Sequence, residues 1–530
     1  MFESAEMDKV HRPMDHSHLF VPSSTTLTPP DRSPTPRALR GAKHFVRTNP
    51  KSDRFPIRAF HHLEFYCGDA TAAAAYLGAA MGLPEIARSD LSTGNCASAS
   101  RVLRSGDITL VVTAPALPAD EADADLDRSG SGSDTAHLPG YSVSAAHAFI
   151  ARHGTAVRAV GVAVACARTA FEEATKHGAK PVLAPTRLID RGGSTISTGS
   201  GRGGGGDDHA DATRTTTSRT TSTSTPTPMT IAEIMLYPDS DVVLRFVSGG
   251  EASVSPAPET TSTTVAVPDS ESGSGAGPET FVFMPRYRPV TSTSVRSFGL
   301  RRIDHVVGNV PRLLEAVDYV AGFTGMHPFA EFTAEDVGTV DSGLNSMVLA
   351  SNEETVLLPI NEPTFGTRRP SQIQTYLDRN RGPGVQHVAL KTDDIISTLR
   401  CIREQGGLEL MAKCSPSYYR DLPERIGPNV LTKDQFQACE ELGILVDRDD
   451  QGILMQIFSK PIGDRATFFF EFIQRICPRE DELRRLGKRG AEATVGGCGG
   501  FGKGNFTELF KSIEDHDATL AELASKSNNA

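Results

Sequence analysis

Three residues stand out for what their types and spacing could do. His305 lies in RRIDHVVGNV, His387 in GPGVQHVALKTDD and Glu471 in TFFFEFIQRI. Each sits among apolar residues in a stretch that reads as mid-strand, where side chains alternate between two faces. They are 82 and 84 residues apart, a nearly equal spacing. Two imidazoles and one carboxylate that leave coordination positions open form the donor set of non-haem iron(II) oxygenases. A lone histidine on an apolar strand is more often a satisfied core residue than a ligand. A glutamate between Phe470 and Phe472 is harder to dismiss, because an unpaired buried carboxylate costs roughly several kcal/mol and demands a cation or a metal.

The elements that must position these residues recur. Two halves, roughly 55–250 and 280–515, read as diverged copies of one unit. FHHLEFYCGDATAAAAYLGAAMGLPEIA in the first half and IDHVVGNVPRLLEAVDYVAGFTGMHPFAE in the second both give a strand, a helix and a turn. Aligned without a gap through the helix, His62 falls opposite His305 and Tyr76 opposite Tyr319. AVRAVGVAVACARTAFEEATKHGA matches GPGVQHVALKTDDIISTLRCIREQGG and sets Ala159 opposite His387. IMLYPDSDVVLRFVS matches LMQIFSKPIGDRATFFFEFIQ and sets Arg245 opposite Glu471. Short strands alternate with one amphipathic helix in each piece, a β-α-β-β-β plan, so the expected class is α+β with paired βαβββ modules forming open barrels. The second half holds a complete donor set. In the first, one ligand is missing and one is replaced by a cation, and that asymmetry favours a site over coincidence.

Between and around these halves the composition changes. The expected organisation is a disordered tail over 1–44, a first domain over 45–250 with low-complexity insertions near 117–139 and 192–228, a linker over 251–280, a catalytic domain over 281–495, and a lid helix and tail over 496–530. Tracts such as RGGGG and TTTSRTTSTSTPTP cannot bury enough apolar surface to offset the entropy of ordering them. Six glycines between Gly496 and Gly504 make the approach to Phe506 permissive in backbone angle, and Phe506, Leu509, Phe510 and Ile513 give the following helix one apolar face.

Composition narrows the function classes. The formal net charge is −11, without a Lys/Arg cluster, which argues against a nucleic-acid partner. No apolar run reaches the length of about 18 residues needed for a membrane-spanning helix. Glu3, Glu6, Asp8 and Asp15 are unlike a secretory or transit peptide, so a cytoplasmic protein is expected, with a plastid as the alternative because Pro29 to Arg40 is rich in Pro and Arg. The eight cysteines are widely scattered, without a CxxC pair, and read as single reduced thiols.

The segments GLNSMVLAS, LLPINEP, SQIQTYL, GVQHVALKT, GILMQIFSKPIGDR and GGCGGFGKGNFTELFKSIE together closely resemble those of plant-type 4-hydroxyphenylpyruvate dioxygenases, members of the vicinal oxygen chelate superfamily. The resemblance implies a two-domain glyoxalase-like fold and one iron, Fe(2+), per chain on His305, His387 and Glu471. It implies oxidative decarboxylation of 4-hydroxyphenylpyruvate by O2, with ring hydroxylation and side-chain migration, giving homogentisate and CO2 for tyrosine breakdown or for quinone and tocopherol synthesis. The 2-oxo acid belongs to the substrate, so no separate 2-oxoglutarate is needed. Ser346, Asn361, Gln372, Gln386, Gln456 and Asn505 would be polar groups around the substrate, and Phe458, Phe469, Phe501 and Phe506 its aromatic walls. Gln456 and Phe458 share a strand face by alternation, whereas Gln386 adjoins His387 and should point the other way. A homodimer is expected. Three other readings stay open: a hydroxymandelate synthase using the same iron and substrate, a non-catalytic small-molecule binding protein, and a nickel or zinc isomerase.

Overall fold

The computed structural model describes residues 39–119, 137–189, 228–249, 283–290, 296–338, 343–449 except 367 and 429, 452–477, 497–506 except 499, and positions 508, 511, 513 and 519. The first 38 residues of the expected tail, most of the two insertions and the whole of the linker lie outside the described residues.

The alternating segments of the first half form β1 (Ile57–Tyr66), β2 (Glu85–Ser89), β3 (Ser98–Ser105), β4 (Ile108–Pro115), β5 (Ala156–Val164), β6 (Pro181–Leu188), β7 (Met229–Met235), β8 (Val243–Gly249) and β9 (Arg288–Pro289). Those of the second half form β10 (Leu300–Asn309), β11 (His327–Phe332), β12 (Leu344–Ala350), β13 (Leu357–Pro363), β14 (Gly384–Thr392), β15 (Leu445–Arg448), β16 (Ile453–Phe458) and β17 (Phe469–Ile476). They build two sheets, ordered β6-β7-β8-β5-β1-β4-β3-β2-β9 and β11-β12-β13-β10-β14-β17-β16-β15. Reversing the second order puts β10 where β1 stands, β14 where β5 stands and β17 where β8 stands. β1 runs parallel to β4 and β5 to β8, and β10 is likewise parallel to β13 and β14 to β17. The sequence repeat is therefore a repeat of topology: each mixed sheet is two βαβββ modules side by side, curled into a half-barrel.

Local chemistry sets the helices that back these sheets. Helix Ala70–Met81 starts where the Asp69 carboxylate accepts from Thr71 and Ala72 N–H and ends at Gly82 in the left-handed conformation. Its counterpart Leu313–Thr324 ends at Gly325 in the same way and buries Val317, Val320 and Phe323, worth roughly 1.5–3 kcal/mol each. The halves share one core. Phe65 of β1 meets Phe468 edge-on at 5.1 Å, and Tyr237 packs so tightly on Gly308 of β10 that a Cβ there would lie 2.3 Å from the tyrosine ring.

In the first half, a buried guanidinium stands where Glu471 stands in the second. Arg245 of β8 is buried, with Nε 2.6 Å from Glu233, Nη1 2.7 Å from Glu64, and Nη1 donating to His62 Nε2 at 3.0 Å. Burial disfavours its charge, but the two carboxylates outweigh that and hold its pKa above the ordinary arginine value. Phe283, Met284 and Tyr287 are buried against Val102, Val111, Ile231 and Val247, filling this half-barrel.

Two expected boundaries shift for physical reasons. The second domain was expected from 281, yet Phe283–Tyr287 fill the first half-barrel and β9 pairs with β2, because three large apolar side chains find their burial there. The disordered tail was expected to reach residue 44. Instead Gly41 N–H donates to Glu331 at 2.8 Å and Ala42 N–H to Asp336 at 2.8 Å, so 39–44 is tied to the second half by carboxylates about 290 residues away. Among the described residues, no helix is long and apolar enough to cross a membrane.

Candidate metal centre and pocket

His305, His387 and Glu471 converge from the neighbouring strands β10, β14 and β17. Register explains how: His305 pairs with Ala389, and Ala389 with Glu471, so the histidine and the carboxylate stand in one row across the sheet. His387 stands one row along, opposite Val307 and Phe469. One ligand atom from each residue lies within 4.8 Å of the other two. Glu471 Oε2 is 3.0 Å from His305 Nε2 and 3.6 Å from His387 Nε2. All three residues are buried.

Two strand bulges set the histidine tautomers. Between Ile303 and His305, β10 carries one residue more than β14, and between Val307 and Gly308 the extra residue is on β14. The extra residues are Asp304 and Gln386, which a bulge releases from strict alternation. Asp304 Oδ2 therefore accepts from His305 Nδ1 at 2.9 Å, and Gln386 Oε1 from His387 Nδ1 at 2.9 Å. With Nδ1 of each ring held by an acceptor, Nε2 is the atom directed toward Glu471, the arrangement a metal-binding histidine needs.

Electrostatics agree with the geometry. Burial alone would raise the Glu471 pKa, but the facing imidazoles, His305 first, bring it down to about 2. Burial opposes protonation of His305, yet Glu471 and Asp304 raise it above the ordinary value. His387 is pushed down by burial, with Glu471 pulling the other way. A divalent cation would take the place of the proton between these groups, and two imidazole nitrogens with one carboxylate fit such an ion.

Above the triad lies a pocket. Of the sequence-based candidates, Ser346, Asn361, Gln456, Phe458, Phe501 and Phe506 line it. The Phe501 ring lies 5.2 Å from that of His305, and Phe458 6.1 Å from that of His387. Asn361 Nδ2 donates to Asn309 at 3.2 Å, whereas Gln456 Oε1 is buried without a hydrogen-bond partner among the described residues. Gly502 presses on that amide, and a Cβ there would lie 2.5 Å from Gln456 Oε1.

Four candidates stand behind the wall rather than on it. Gln386 was expected to turn away from His387; the bulge brings it onto the imidazole, which it orients. Phe469 pairs with His387 across β14 and β17 and stacks on its ring at 4.8 Å, supporting the imidazole from the side. Asn505 is buried in a short turn, Lys503–Asn505, with Oδ1 accepting from Tyr418 at 2.8 Å and Arg425 at 3.2 Å. Gln372 is buried at the start of helix Gln372–Asn380, with Oε1 unpartnered among the described residues.

Several contributors were not anticipated. Phe332, Leu454 and Ile473 complete the apolar wall, and Phe332 meets Phe506 at 5.3 Å. Strand alternation offers a signal for Leu454 and Ile473, since each lies two residues from a candidate. Asp304 and Arg475 were also missed; an acid and a base within the apolar strands IDHVV and FIQRI are the trace they leave. Cys477 and Cys498 form a disulfide, which corrects the expectation of single thiols for that pair: although 21 residues apart in sequence, their Cα atoms lie 6.0 Å from each other. In the lid region, Phe506, Glu508, Lys511 and Ile513 are helical, and Leu509 and Phe510 lie outside the described residues.

Fold and site together define a glyoxalase-type protein of paired modules with a two-histidine, one-carboxylate centre. Residues 302–413 match the Glyoxalase/Bleomycin resistance protein/Dioxygenase superfamily. A solved triple mutant of 4-hydroxymandelate synthase from Streptomyces coelicolor shares the fold, with a TM-score of 0.58 at 21% identity over 87% of this chain and 99% of that one. Among curated proteins, the 4-hydroxyphenylpyruvate dioxygenase of Daucus carota is 45% identical over 92% of this chain and 93% of its own length. That of Arabidopsis thaliana is 45% identical over 91% and 93%, and that of Coccidioides posadasii 30% identical over 89% and 96%. The chain belongs to the 4-hydroxyphenylpyruvate dioxygenase family.

Proposed function

We propose that the protein holds one iron(II) ion on His305, His387 and Glu471 and converts 4-hydroxyphenylpyruvate and O2 to homogentisate and CO2. The observation that carries this reading is the buried triad, its ligand atoms within 4.8 Å of one another, set in the aromatic pocket of a chain of this family. Iron(II) bound there supplies a Lewis acid for the substrate's 2-oxo acid group and the redox capacity for O2 chemistry.

The chain's own groups bind, orient and exclude water. Phe458 and Phe501, near the two histidine rings, suit the flat faces of a phenyl ring. Gln456 and Asn361 offer amides, and Ser346 a hydroxyl, to the substrate's polar atoms. The orphaned Gln456 Oε1 is a buried acceptor that would gain a donor when a phenol occupies the pocket. Phe501 and Phe506, following the glycines, cover the centre and keep bulk water from the reacting atoms. Asp304 and Gln386 accept from Nδ1 of the two imidazoles and so hold each Nε2 toward Glu471.

Iron(II)-dependent O2 uptake with 4-hydroxyphenylpyruvate, coupled to product chromatography, tests the reading. Homogentisate in step with O2 is the expected result. 4-Hydroxymandelate would reassign the product, and no uptake after iron(II) reconstitution would return the protein to the class of binding proteins.

A further inference from the structure

Arg475, four residues beyond Glu471 on β17, is buried and spends its guanidinium on two different parts of the molecule. Nε and Nη2 face Asp304, with Nε 3.0 Å from Oδ1 and Nη2 2.8 Å from Oδ2. Nη1 donates to the carbonyls of Cys498 at 2.8 Å and Gly500 at 2.6 Å, in the segment that carries Phe501 over the pocket. Asp304 is wholly buried and accepts from His305 Nδ1 through the same Oδ2 that Arg475 holds. The Phe501 ring closes the circuit, 5.5 Å from the guanidinium and 5.2 Å from the His305 ring. One planar cation thus bridges the covering segment to the carboxylate that aims a ligand.

The repeat separates this device from a requirement of the fold. At the positions equivalent to Asp304 and Arg475 the first half has His61 and Gly249, yet its sheet keeps the same strand order. The half that lacks a donor set also lacks the acid–arginine pair. Arginine is the side chain the geometry demands, since only a rigid fork of N–H groups can hold a carboxylate with one edge and two carbonyls with the other end; a lysine ammonium presents a single point.

We propose that Asp304 and Arg475 are positioning residues that couple seating of segment 498–506 to the orientation of His305, so that the centre is fully formed only when the pocket is covered. The inference rests on the metal reading above and adds the coupling.

The test uses the full-length protein and two variants, Arg475→Lys and Asp304→Asn, each checked for folding by circular dichroism. Cobalt(II) affinity and the ligand-field spectrum report on His305; amide hydrogen exchange reports on 498–506 without reference to turnover. Cobalt affinity should fall about 10- to 100-fold in both variants, the usual effect of losing a group that orients a ligand. Exchange in 498–506 should quicken at least about tenfold in both, including Asp304→Asn, which alters no group that touches the segment. Faster exchange confined to Arg475→Lys with cobalt binding unchanged would reduce the pair to a clasp. Weaker cobalt binding without faster exchange in Asp304→Asn would leave Asp304 an orienter without coupling. Either outcome overturns the proposal. Should Arg475→Lys fail to fold, Asp304→Asn, which keeps size and shape, decides alone. Failure of the unmodified protein to bind cobalt or iron(II) would instead overturn the functional reading, and the coupling with it.

Discussion

Replacing Glu471 by Gln keeps the size of the side chain and removes the only anionic donor of the triad. The carboxylate is buried, 3.0 Å and 3.6 Å from the two imidazole Nε2 atoms, so its charge acts on both at close range. Losing a group that merely orients a ligand costs about 10- to 100-fold in metal affinity, so losing a charged ligand should cost at least about 100-fold, or about 2.7 kcal/mol. The deficit is measurable without turnover. At a free iron(II) concentration about one hundred times Kd, binding stabilises the parent protein by about 2.7 kcal/mol; a 100-fold weaker site keeps only about 0.4 kcal/mol of that. Anaerobic thermal unfolding with and without iron(II) should therefore show a clear metal-dependent rise in Tm for the parent and almost none for Glu471→Gln. O2 uptake with 4-hydroxyphenylpyruvate should collapse in parallel. Near-normal turnover at full iron occupancy in Glu471→Gln would refute the ligand assignment.

The first half gives a contrasting pair of substitutions. His62→Ala removes one acceptor of the Arg245 guanidinium and should cost about 1 kcal/mol in urea unfolding, with activity unchanged within a few-fold. Arg245→Met strands Glu64 and Glu233 as buried carboxylates and should cost about 3–5 kcal/mol, again with normal turnover per folded molecule; a selective loss of turnover would show that the first half takes part in the chemistry. Phe506→Ala opens the cover: KM should rise about tenfold, about 1.4 kcal/mol, and O2 consumption should exceed homogentisate formed, which an oxygen electrode read against chromatography would detect. In the metal-free protein the Glu471–His305 pair should set a pH window. Glu471, depressed to about 2 from an ordinary 4.5, contributes stability that is present above 4.5 and lost as the pH falls toward 2. His305, raised above 6.5, contributes stability present below 6.5 and lost as the pH climbs through its raised value. The stability difference from Glu471→Gln should thus be greatest near about pH 5.5, and a flat difference between about pH 3 and 8 would count against the pair.

The sequence by itself determined the repeat, the βαβββ plan and the three residues, His305, His387 and Glu471, that meet in one cluster. Those follow from local pattern: alternation places a side chain on a face, and two copies of one module show which positions correspond. It also showed that the first half could not hold a metal, since Arg245 stands where Glu471 does in the second. Only the tertiary structure decided what surrounds the donors. Gln386 orients His387 because a bulge, which depends on how two strands pair, breaks the alternation that sequence reading assumes. Phe469, a candidate wall, became a support for His387 through the register of β14 and β17. Phe283 and Tyr287 fill the first half-barrel although they follow a low-complexity tract, because an empty half-barrel is the nearest place to bury large apolar groups. Asp304 and Arg475 are 171 residues apart and meet only once β10 and β17 stand in one sheet. Periodicity records which face a residue takes within its own strand; contacts between distant segments are fixed by burial and charge pairing in the assembled molecule, and no local pattern encodes them.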